Sequence, residues 1–354
     1  MSVNYAALVL KPKTDKRIRA GNLWIYSNEI DTQQTPLKSF QSGELVCVLD
    51  AQGKALGMAT INPNALLCAR LLTREVRSID VDFFSERLKS ASLKEPILTA
   101  IQRIVQPKTI ILRNDSRGRD LEGLETQVEV AYGSAPAHLS LSENGVTFAA
   151  PALTGQKTGW FYDHRSMRAR LQTYAPKKRV LDVFAYLGSF GVQAAAFGAD
   201  SVTCVDVSPL SAEWVARNAA LNGVADKVSS ITGDAFDIMT QLLADGQKFD
   251  VVIVDPPAFI PKAKDHAKGL AAYQKLNALA IRLLAVNGVL FSGSCSMHLS
   301  RDELLASIQK AARANDRRVQ LLEETHQAPD HPIHPAMKET GYLKGLICRI
   351  LAGE

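Results

Sequence analysis

The 354-residue chain is long enough for two or three domains, and its 46% hydrophobic and 22% charged residues are typical of a globular protein rather than a disordered one. No apolar run approaches the ~20 residues of a membrane-spanning helix, and the N-terminal stretch lacks the pattern of a signal peptide, so we expect a cytoplasmic protein with no membrane contact. The net charge of +5 permits a polyanionic partner without requiring one.

The five cysteines are scattered and form no CxxC pair, so we expect neither a disulfide framework nor a metal site. Four of them lie in alternating apolar stretches and are predicted to be small buried residues: Cys47, Cys68, Cys204 and Cys348. The fifth, Cys295, differs because Ser294 and Ser296 flank it beyond the end of a predicted strand. It is either a nucleophile or another buried cysteine.

Residues 1–75 are predicted to form a small β-rich module, because short apolar strands alternate with Gly, Asp and Asn-Pro turn signals. Five cations precede these strands and stand close to an aromatic residue: Lys11, Lys13, Lys16, Arg17 and Arg19, followed by Trp24. Cations beside exposed aromatic rings can hold a phosphate backbone and stack bases, so this segment predicts contact with RNA. The alternative is a solvated loop next to a core tryptophan.

Residues 76–170 are predicted to form a small central α+β domain. Its first part, residues 78–98, has mixed helical spacing. Strands are predicted at 108–115, 126–133 and 144–153, with glycines in the turns between them. A hairpin then leads into the next domain.

Residues 171–354 change to alternating strands and helices. Strands are predicted at 179–184, 201–207, 228–234, 249–257 and 288–294, and helices at 189–198, 209–223, 235–246, 273–288 and 301–315. Helices of this length between strands imply βαβ units, so we predict an α/β fold with a mainly parallel sheet and helices on both faces.

An aspartate stands at the end of each of the first four strands of this domain: Asp182, Asp206, Asp234 and Asp255. Open α/β sheets bind ligands beyond the carboxyl ends of their strands. Gly188 and Gly191 lie in the turn after the first strand, where a missing side chain lets the backbone approach a ligand. The series therefore predicts a nucleotide-type cofactor, with helix capping as the alternative for individual aspartates.

Asp206 follows Gly188 at a distance that suits hydrogen bonds to both hydroxyls of a ribose. Asp234 is placed to accept from the amine of an adenine. The glycine pattern is looser than that of dinucleotide-binding folds, and no phosphate cradle is evident. These features favour S-adenosylmethionine over NAD.

Several ordered segments resemble a known family. They are AGNLWIYSNEI, TGQKTGWFYDHRSMR, DVFAYLGSFG, DPPAF, SGSCS, DHPIHP and GYLKGLICRI. Residues 171–350 resemble class I S-adenosylmethionine-dependent methyltransferases, and the whole chain resembles ribosomal RNA cytosine-C5 methyltransferases with an N-terminal PUA domain. The resemblance implies a PUA-like domain, a small central domain and a Rossmann-like methyltransferase sheet whose last strand is antiparallel. Three positions depart from the usual family pattern: His164, Ala258 and Met297.

The resemblance implies S-adenosylmethionine as the cofactor and a set of residues around it. These residues come from the strand ends, the turn after the first strand and the preceding hairpin: Asp182, Phe184, Gly188, Phe190, Asp206, Asp234, Ala235, Asp255, Phe161, Asp163 and Arg165. For Asp163 and Arg165 the alternative is an ion pair that joins two domains.

In this family the cysteine of the SCS motif, here Cys295, is the nucleophile that adds to C6 of the target cytosine. Asp255 is the second catalytic candidate, because a carboxyl group there can bond the N3 and amino edge of the base. Pro256 and Phe259 are the implied contacts of that base, although Phe259 could instead face the core.

The implied partner is RNA, in particular large-subunit ribosomal RNA, and a homodimer is left open. Two other functions stay open: methylation of a guanine or adenine nitrogen through the DPPAF motif, and RNA binding in assembly without catalysis. Asp330 and His331 are candidates for the base that removes the C5 proton. Three further cations follow Phe259, either beside an RNA cleft or in a solvated loop: Lys262, Lys264 and Lys268.

Overall fold

The computed structural model describes residues 5–77, 79, 94–115, 125–156 and 158–353. Contacts divide the chain into two compact units. The first comprises Met1–Pro136 with Pro335–Met337, and the second comprises Ala137–His334 with Lys338–Glu354. The predicted division into three domains at residues 75 and 170 stays a prediction.

The first unit is built on a five-stranded sheet in the order β1-β3-β4-β5-β2. Its strands are β1 Ala6–Val9, β2 Trp24–Tyr26, β3 Glu44–Leu49, β4 Ala55–Ile61 and β5 Leu67–Thr73. The short helix α1 Asp15–Arg19 and single 3-10 turns at Ser27–Glu29 and Leu37–Ser39 connect them. The apolar residues of the strands form one core, with Leu8, Ile25 and Val46 fully buried.

The rest of this unit contains helix α2 Lys94–Val105 and a two-stranded sheet of β6 Ile110–Asn114 and β7 Gln127–Tyr132. The strands predicted at 108–115 and 126–133 are therefore confirmed. Most of the stretch 78–98 with helical spacing lies outside the described residues, and only its end falls in α2.

The second unit opens with the strand pair β8 Leu139–Glu143 and β9 Val146–Ala150. Its main sheet has seven strands: β10 Arg179–Val183, β11 Ser201–Asp206, β12 Val228–Thr232, β13 Phe249–Val254, β14 Leu284–Ser294, β15 Arg317–Thr325 and β16 Lys344–Ala352. Its helices are α3 Arg165–Ala169, α4 Leu171–Tyr174, α5 Gly191–Ala196, α6 Pro209–Leu221, α7 Ala235–Ala244, α8 His266–Leu283 and α9 Arg301–Arg313, with 3-10 turns at Tyr162–His164, Ala263–Asp265 and Lys338–Thr340.

The main sheet has the order β12-β11-β10-β13-β14-β16-β15. Strands β10 to β14 are parallel, whereas β16 is antiparallel to both of its neighbours. One core cluster packs α5 and α6 on one face, and a second packs α7, α8 and α9 on the other. The predicted α/β Rossmann-like fold with an antiparallel last strand is confirmed. The strand order reverses between β10 and β13, which is where such sheets bind ligands.

Two local predictions were wrong. The helix predicted at 273–288 is α8, which begins at His266 and ends at Leu283. The chain becomes strand there because Leu284 pairs with Phe249, and Asn287 has a φ of 64°, which a right-handed helix cannot contain. Cys47 is half-buried rather than buried, whereas the other three apolar-context cysteines are buried. Among the described helices, none has the length and apolar character needed to span a membrane.

Candidate functional site

The carboxyl ends of β10 and β13 bring Asp182 and Asp255 together at the switch point, with Asp206 at the end of neighbouring β11. Each strand ends at the same edge of a parallel sheet, so its terminal polar residue faces a common cleft. The structure thus assembles three of the four predicted strand-end aspartates around the reversal of strand order.

The turn after β10 has an unusual backbone. Phe184, Tyr186 and Gly188 have φ values of 67°, 50° and 77°, in the left-handed region that residues with a Cβ rarely adopt. Asp206 stabilises this turn, since its Oδ2 accepts a hydrogen bond from the Tyr186 N–H at 2.9 Å. Strained turns that are held by surrounding contacts are characteristic of ligand sites.

Asp182 is fully enclosed and carries an unused hydrogen-bonding atom. Burial, the largest effect, raises the pKa of Asp182 to about 7, although the Gly191 N–H donates to its Oδ2 at 2.8 Å and opposes the shift. Its Oδ1 is buried without a hydrogen-bond partner among the described residues. A buried acceptor of this kind fits a ligand that brings an N–H donor, such as the ammonium group of S-adenosylmethionine.

Asp206 and Asp234 differ in their contacts. Asp206 Oδ1 accepts from the Ser208 N–H and the Ser211 hydroxyl at 3.0 and 3.1 Å. Because each carboxylate oxygen can accept two bonds, Asp206 retains capacity for a ligand hydroxyl. Asp234 caps α7, which begins at Ala235, through bonds from backbone N–H groups at 2.9 and 3.2 Å. Asp234 therefore acts as the N-cap of this helix, which was the alternative to a ligand contact. Its contact with adenine stays a prediction.

The irregular segment that precedes α3 packs on the strained turn. The Phe161 ring lies edge-on to Tyr186, with centroids 5.4 Å apart. The Tyr186 hydroxyl accepts from the Gln156 N–H at 2.8 Å and donates to the Gly159 carbonyl at 3.3 Å. The predicted hairpin residue Phe161 is thus next to the turn that carries Phe184 and Gly188.

A buried ion pair anchors this segment to β8. Arg168 bonds both carboxylate oxygens of Glu143 at 2.5 and 2.8 Å, and it also donates to the Phe161 carbonyl. Trp160 and Gln193 donate to the same carboxylate. Because Arg168 and Glu143 are almost fully buried, the loss of either partner would leave an uncompensated charge.

Asp163 and Arg165, predicted to line the cofactor site, lie in different surroundings. Asp163 is buried and accepts from the Tyr342 hydroxyl at 2.8 Å. Arg165 is partly exposed and pairs with Asp330 at 3.2 Å. Asp330 also bonds His331, and this contact and Arg165 lower the pKa of Asp330. A lowered pKa makes Asp330 a weaker base for the C5 proton.

Cys295 is presented by a hydrogen-bonded clamp. The hydroxyls of Ser294 and Ser296 both bond the Tyr273 hydroxyl, at 2.8 and 2.9 Å, and both serines are fully buried. Ser296 also accepts from the Ile260 N–H. The clamp holds the two flanking serines inside the protein, while Cys295 between them is half-buried.

Two residues that the sequence analysis did not identify, Tyr273 and Lys344, also hold the segment around Cys295. Tyr273 is on α8, and burial raises its pKa, so it remains a neutral hydroxyl. Lys344 lies opposite Ser294 in the β14–β16 pair and donates to the Ser296 carbonyl at 2.6 Å. Burial lowers the pKa of Lys344, and its charge interacts with Cys295. Both contacts depend on tertiary packing and have no local sequence signal.

The DPPAF segment follows β13. Pro256 is buried, and the half-buried Phe259 ring packs on Tyr273 with centroids 4.9 Å apart. This packing agrees with the core-facing alternative for Phe259, and its contact with the target base stays a prediction. Asp255 lies beside the buried His164, whose Nε2 is 3.1 Å from the Asp255 Oδ1. Within the described ranges, no cluster of three or more His, Cys, Asp or Glu side chains could hold a metal ion.

The five N-terminal cations are not equivalent. Lys11 donates to the Asn28 carbonyl, Arg17 pairs with Glu29, and Arg19 pairs with Asp15 and Asp50. In contrast, the exposed side chains of Lys13 and Lys16 make no hydrogen bond or ion pair to any residue that the structure describes. The predicted aromatic partner, Trp24, is half-buried on β2.

Comparison with known proteins finds two matching family profiles. A PUA-like domain profile matches residues 8–74, and a profile described as S-adenosylmethionine-dependent methyltransferase matches residues 106–348. The ribosomal RNA large subunit methyltransferase I of Shewanella frigidimarina is 30% identical over 392 residues, which cover 96% of this chain and 98% of that protein. The protein of the same name from Yersinia pseudotuberculosis is also 30% identical, over 97% of this chain and 99% of its own length.

Solved structures show the same fold at lower identity. A Streptococcus mutans protein described as a SAM-dependent methyltransferase aligns with a TM-score of 0.80 at 18% identity, over 97% of this chain and 100% of its own. The methyltransferase SMU.776, complexed with SAH, gives the same values. The prediction of S-adenosylmethionine as the cofactor is confirmed. The match over residues 106–348 shows that the chain belongs to the family of S-adenosylmethionine-dependent methyltransferases.

Proposed function

We propose that this enzyme methylates C5 of a cytosine in large-subunit ribosomal RNA, through a covalent adduct between Cys295 and C6 of the base. The names of the full-length relatives support the RNA substrate. The observation that carries the cytosine chemistry is Cys295 itself, half-buried at the carboxyl end of β14 between two clamped serines. Methylation of a nitrogen needs no thiol nucleophile, because the nitrogen lone pair attacks the methyl group directly.

The proposed chemistry begins with the Cys295 thiolate, which forms a bond from Sγ to C6 of the ring while the electron pair of the C5–C6 double bond moves to C5. S-adenosylmethionine, when bound, would supply the electrophilic methyl group that C5 takes, and S-adenosylhomocysteine would leave with the electron pair of the methyl–sulfur bond. A base then removes the C5 proton, the C5–C6 double bond reforms, and the C6–S bond breaks to release the thiolate. Asp255, on the neighbouring strand end, would hold the N3 and amino edge of the base.

A trapping experiment tests this proposal. RNA that contains 5-fluorocytosine at the target should form a stable covalent complex with the protein when S-adenosylmethionine is present, because fluorine cannot leave C5 as a proton does. The complex is detected by denaturing electrophoresis, and mass spectrometry of the digest should place the nucleotide on Cys295. The target is first found by mapping 5-methylcytosine in ribosomal RNA with and without the protein.

Absence of the complex, together with methylation of a purine nitrogen in the same RNA, would contradict the proposal. It would favour the alternative chemistry at the DPPAF segment.

The N-terminal cations lead to a second expected result. Replacing Lys13 and Lys16 with alanine should weaken RNA binding and reduce the slope of log affinity against log salt by ~0.7–0.9 for each phosphate that is no longer neutralised. These two lysines are the choice because their side chains are exposed and form no hydrogen bond or ion pair with the described part of the protein. Binding is measured by fluorescence anisotropy over a range of salt concentrations.

Lys38 provides a matched control, since it is an exposed lysine in the same unit outside the cluster. Lys38→Ala should leave the salt slope unchanged. If the double variant and the control have equal slopes, Lys13 and Lys16 do not touch phosphate.

A further inference from the structure

His164 and Asp255 form a close pair at the centre of the site. His164 ends the single 3-10 turn before α3, whereas Asp255 follows β13. The His164 Nε2 lies 3.1 Å from the Asp255 Oδ1, and the side chains are 4% and 23% exposed. The histidine side chain is therefore buried, and the Asp255 carboxylate is partly exposed to solvent.

The surroundings of the imidazole assign its proton. His164 Nδ1 is buried and has no hydrogen-bond partner among the described residues. A neutral imidazole carries one N–H, and a proton on Nδ1 would be an unpaired buried donor. It would also place the Nε2 lone pair against the Asp255 carboxylate. The proton therefore belongs on Nε2, from which it donates to the Asp255 Oδ1.

Packing leaves the pair little freedom. A Cβ atom at Gly293 would lie 2.8 Å from the Asp255 Oδ1 and 3.4 Å from the His164 Cε1. The imidazole also packs against Phe190, with ring centroids 5.8 Å apart. The absence of a side chain at Gly293 thus makes room for the bond, and the Phe190 ring restricts the imidazole on another side. Oδ1 accepts the bond from His164, whereas Oδ2 accepts none from the described residues, so Oδ2 has the greater capacity for a ligand.

We infer that His164 is a positioning residue, which fixes the Asp255 carboxylate so that its free oxygen faces the target base. This inference rests on the proposed role of Asp255 in holding the base. His164 does not touch the reacting atoms, so its loss should affect the rate of methyl transfer while cofactor binding remains.

Two variants separate this role from a merely structural one. His164→Leu fills a similar volume but has no donor, and it should lower kcat by about 10- to 100-fold, as expected for a misplaced contact group. His164→Gln keeps an amide N–H that can reach Asp255, and it should retain kcat within about threefold of the original enzyme. The affinity for S-adenosylmethionine, measured by calorimetry, should remain within about threefold in both. Equal kcat values in the Leu and Gln variants would overturn the inference.

A second measurement does not depend on the reaction. In the full-length protein with 15N-labelled histidines, the signals absent from His164→Gln identify His164. We expect a proton on Nε2, the nitrogen that faces the Asp255 Oδ1. An Nε2 without a proton would contradict the pairing even if Leu fails to fold. If the enzyme methylates another atom, the proposed function fails. The position of the His164 proton is measured independently of that outcome.

Discussion

Replacing Cys295 with alanine should lower kcat for methyl transfer by on the order of 10³-fold or more, because the thiolate takes part only along the reaction path. The fold should survive, since the substitution removes one atom from a half-buried residue and leaves the bonds of Ser294 and Ser296 to Tyr273 intact. Binding of S-adenosylmethionine and RNA should therefore change little. Single-turnover transfer of a labelled methyl group measures the loss.

Two further variants make this result specific. Cys295→Ser should be nearly as inactive, because an alkoxide is far less accessible near neutral pH than a thiolate. Cys47→Ala is the matched control, since Cys47 is also half-buried but lies on β3 of the other unit, and it should keep full activity. More than about a tenth of the original kcat in Cys295→Ala would remove the cysteine from the mechanism.

The parts of the fold that are visible in the sequence are those with local causes. Between residues 179 and 315, each apolar strand is followed by a turn and a helix, so the alternation alone predicts the parallel part of the sheet. The aspartates at the strand ends are visible for the same reason. The junction after Leu283 is different, because Leu284 becomes strand only through pairing with Phe249, which lies far away in the sequence.

The contacts that shape the candidate site are mostly long-range. The bond between His164 and Asp255 and the clamp of Tyr273 on two serines join separate elements of the fold. Propensity and spacing carry no information about such contacts. The N-terminal cations show the same limit, because Arg17 and Arg19 look like phosphate ligands but are engaged by Glu29 and by two aspartates.

The second large effect is expected at the cofactor. Asp206→Ala should weaken binding of S-adenosylmethionine by about 2–4 kcal/mol, the range for charge-assisted hydrogen bonds in a cleft. The carboxylate stands at the end of β11 with acceptor capacity for a ribose hydroxyl, and it also fixes the Tyr186 N–H in the strained turn. Its removal therefore takes away a charge-assisted hydrogen bond to the ligand and loosens the backbone that would surround the ligand. Titration calorimetry measures the change directly.

Ser211→Ala separates the ligand contact from local structure. The Ser211 hydroxyl donates to the Asp206 Oδ1 at 3.1 Å, so this variant removes one internal bond and keeps the carboxylate. We expect its cofactor affinity to stay within about threefold of the original, and its melting temperature should show whether the loop is disturbed. If a folded Asp206→Ala protein binds S-adenosylmethionine as well as Ser211→Ala does, Asp206 only stabilises the turn after β10 and does not bind the cofactor. The ribose would then have to be held by other groups at the edge of β11.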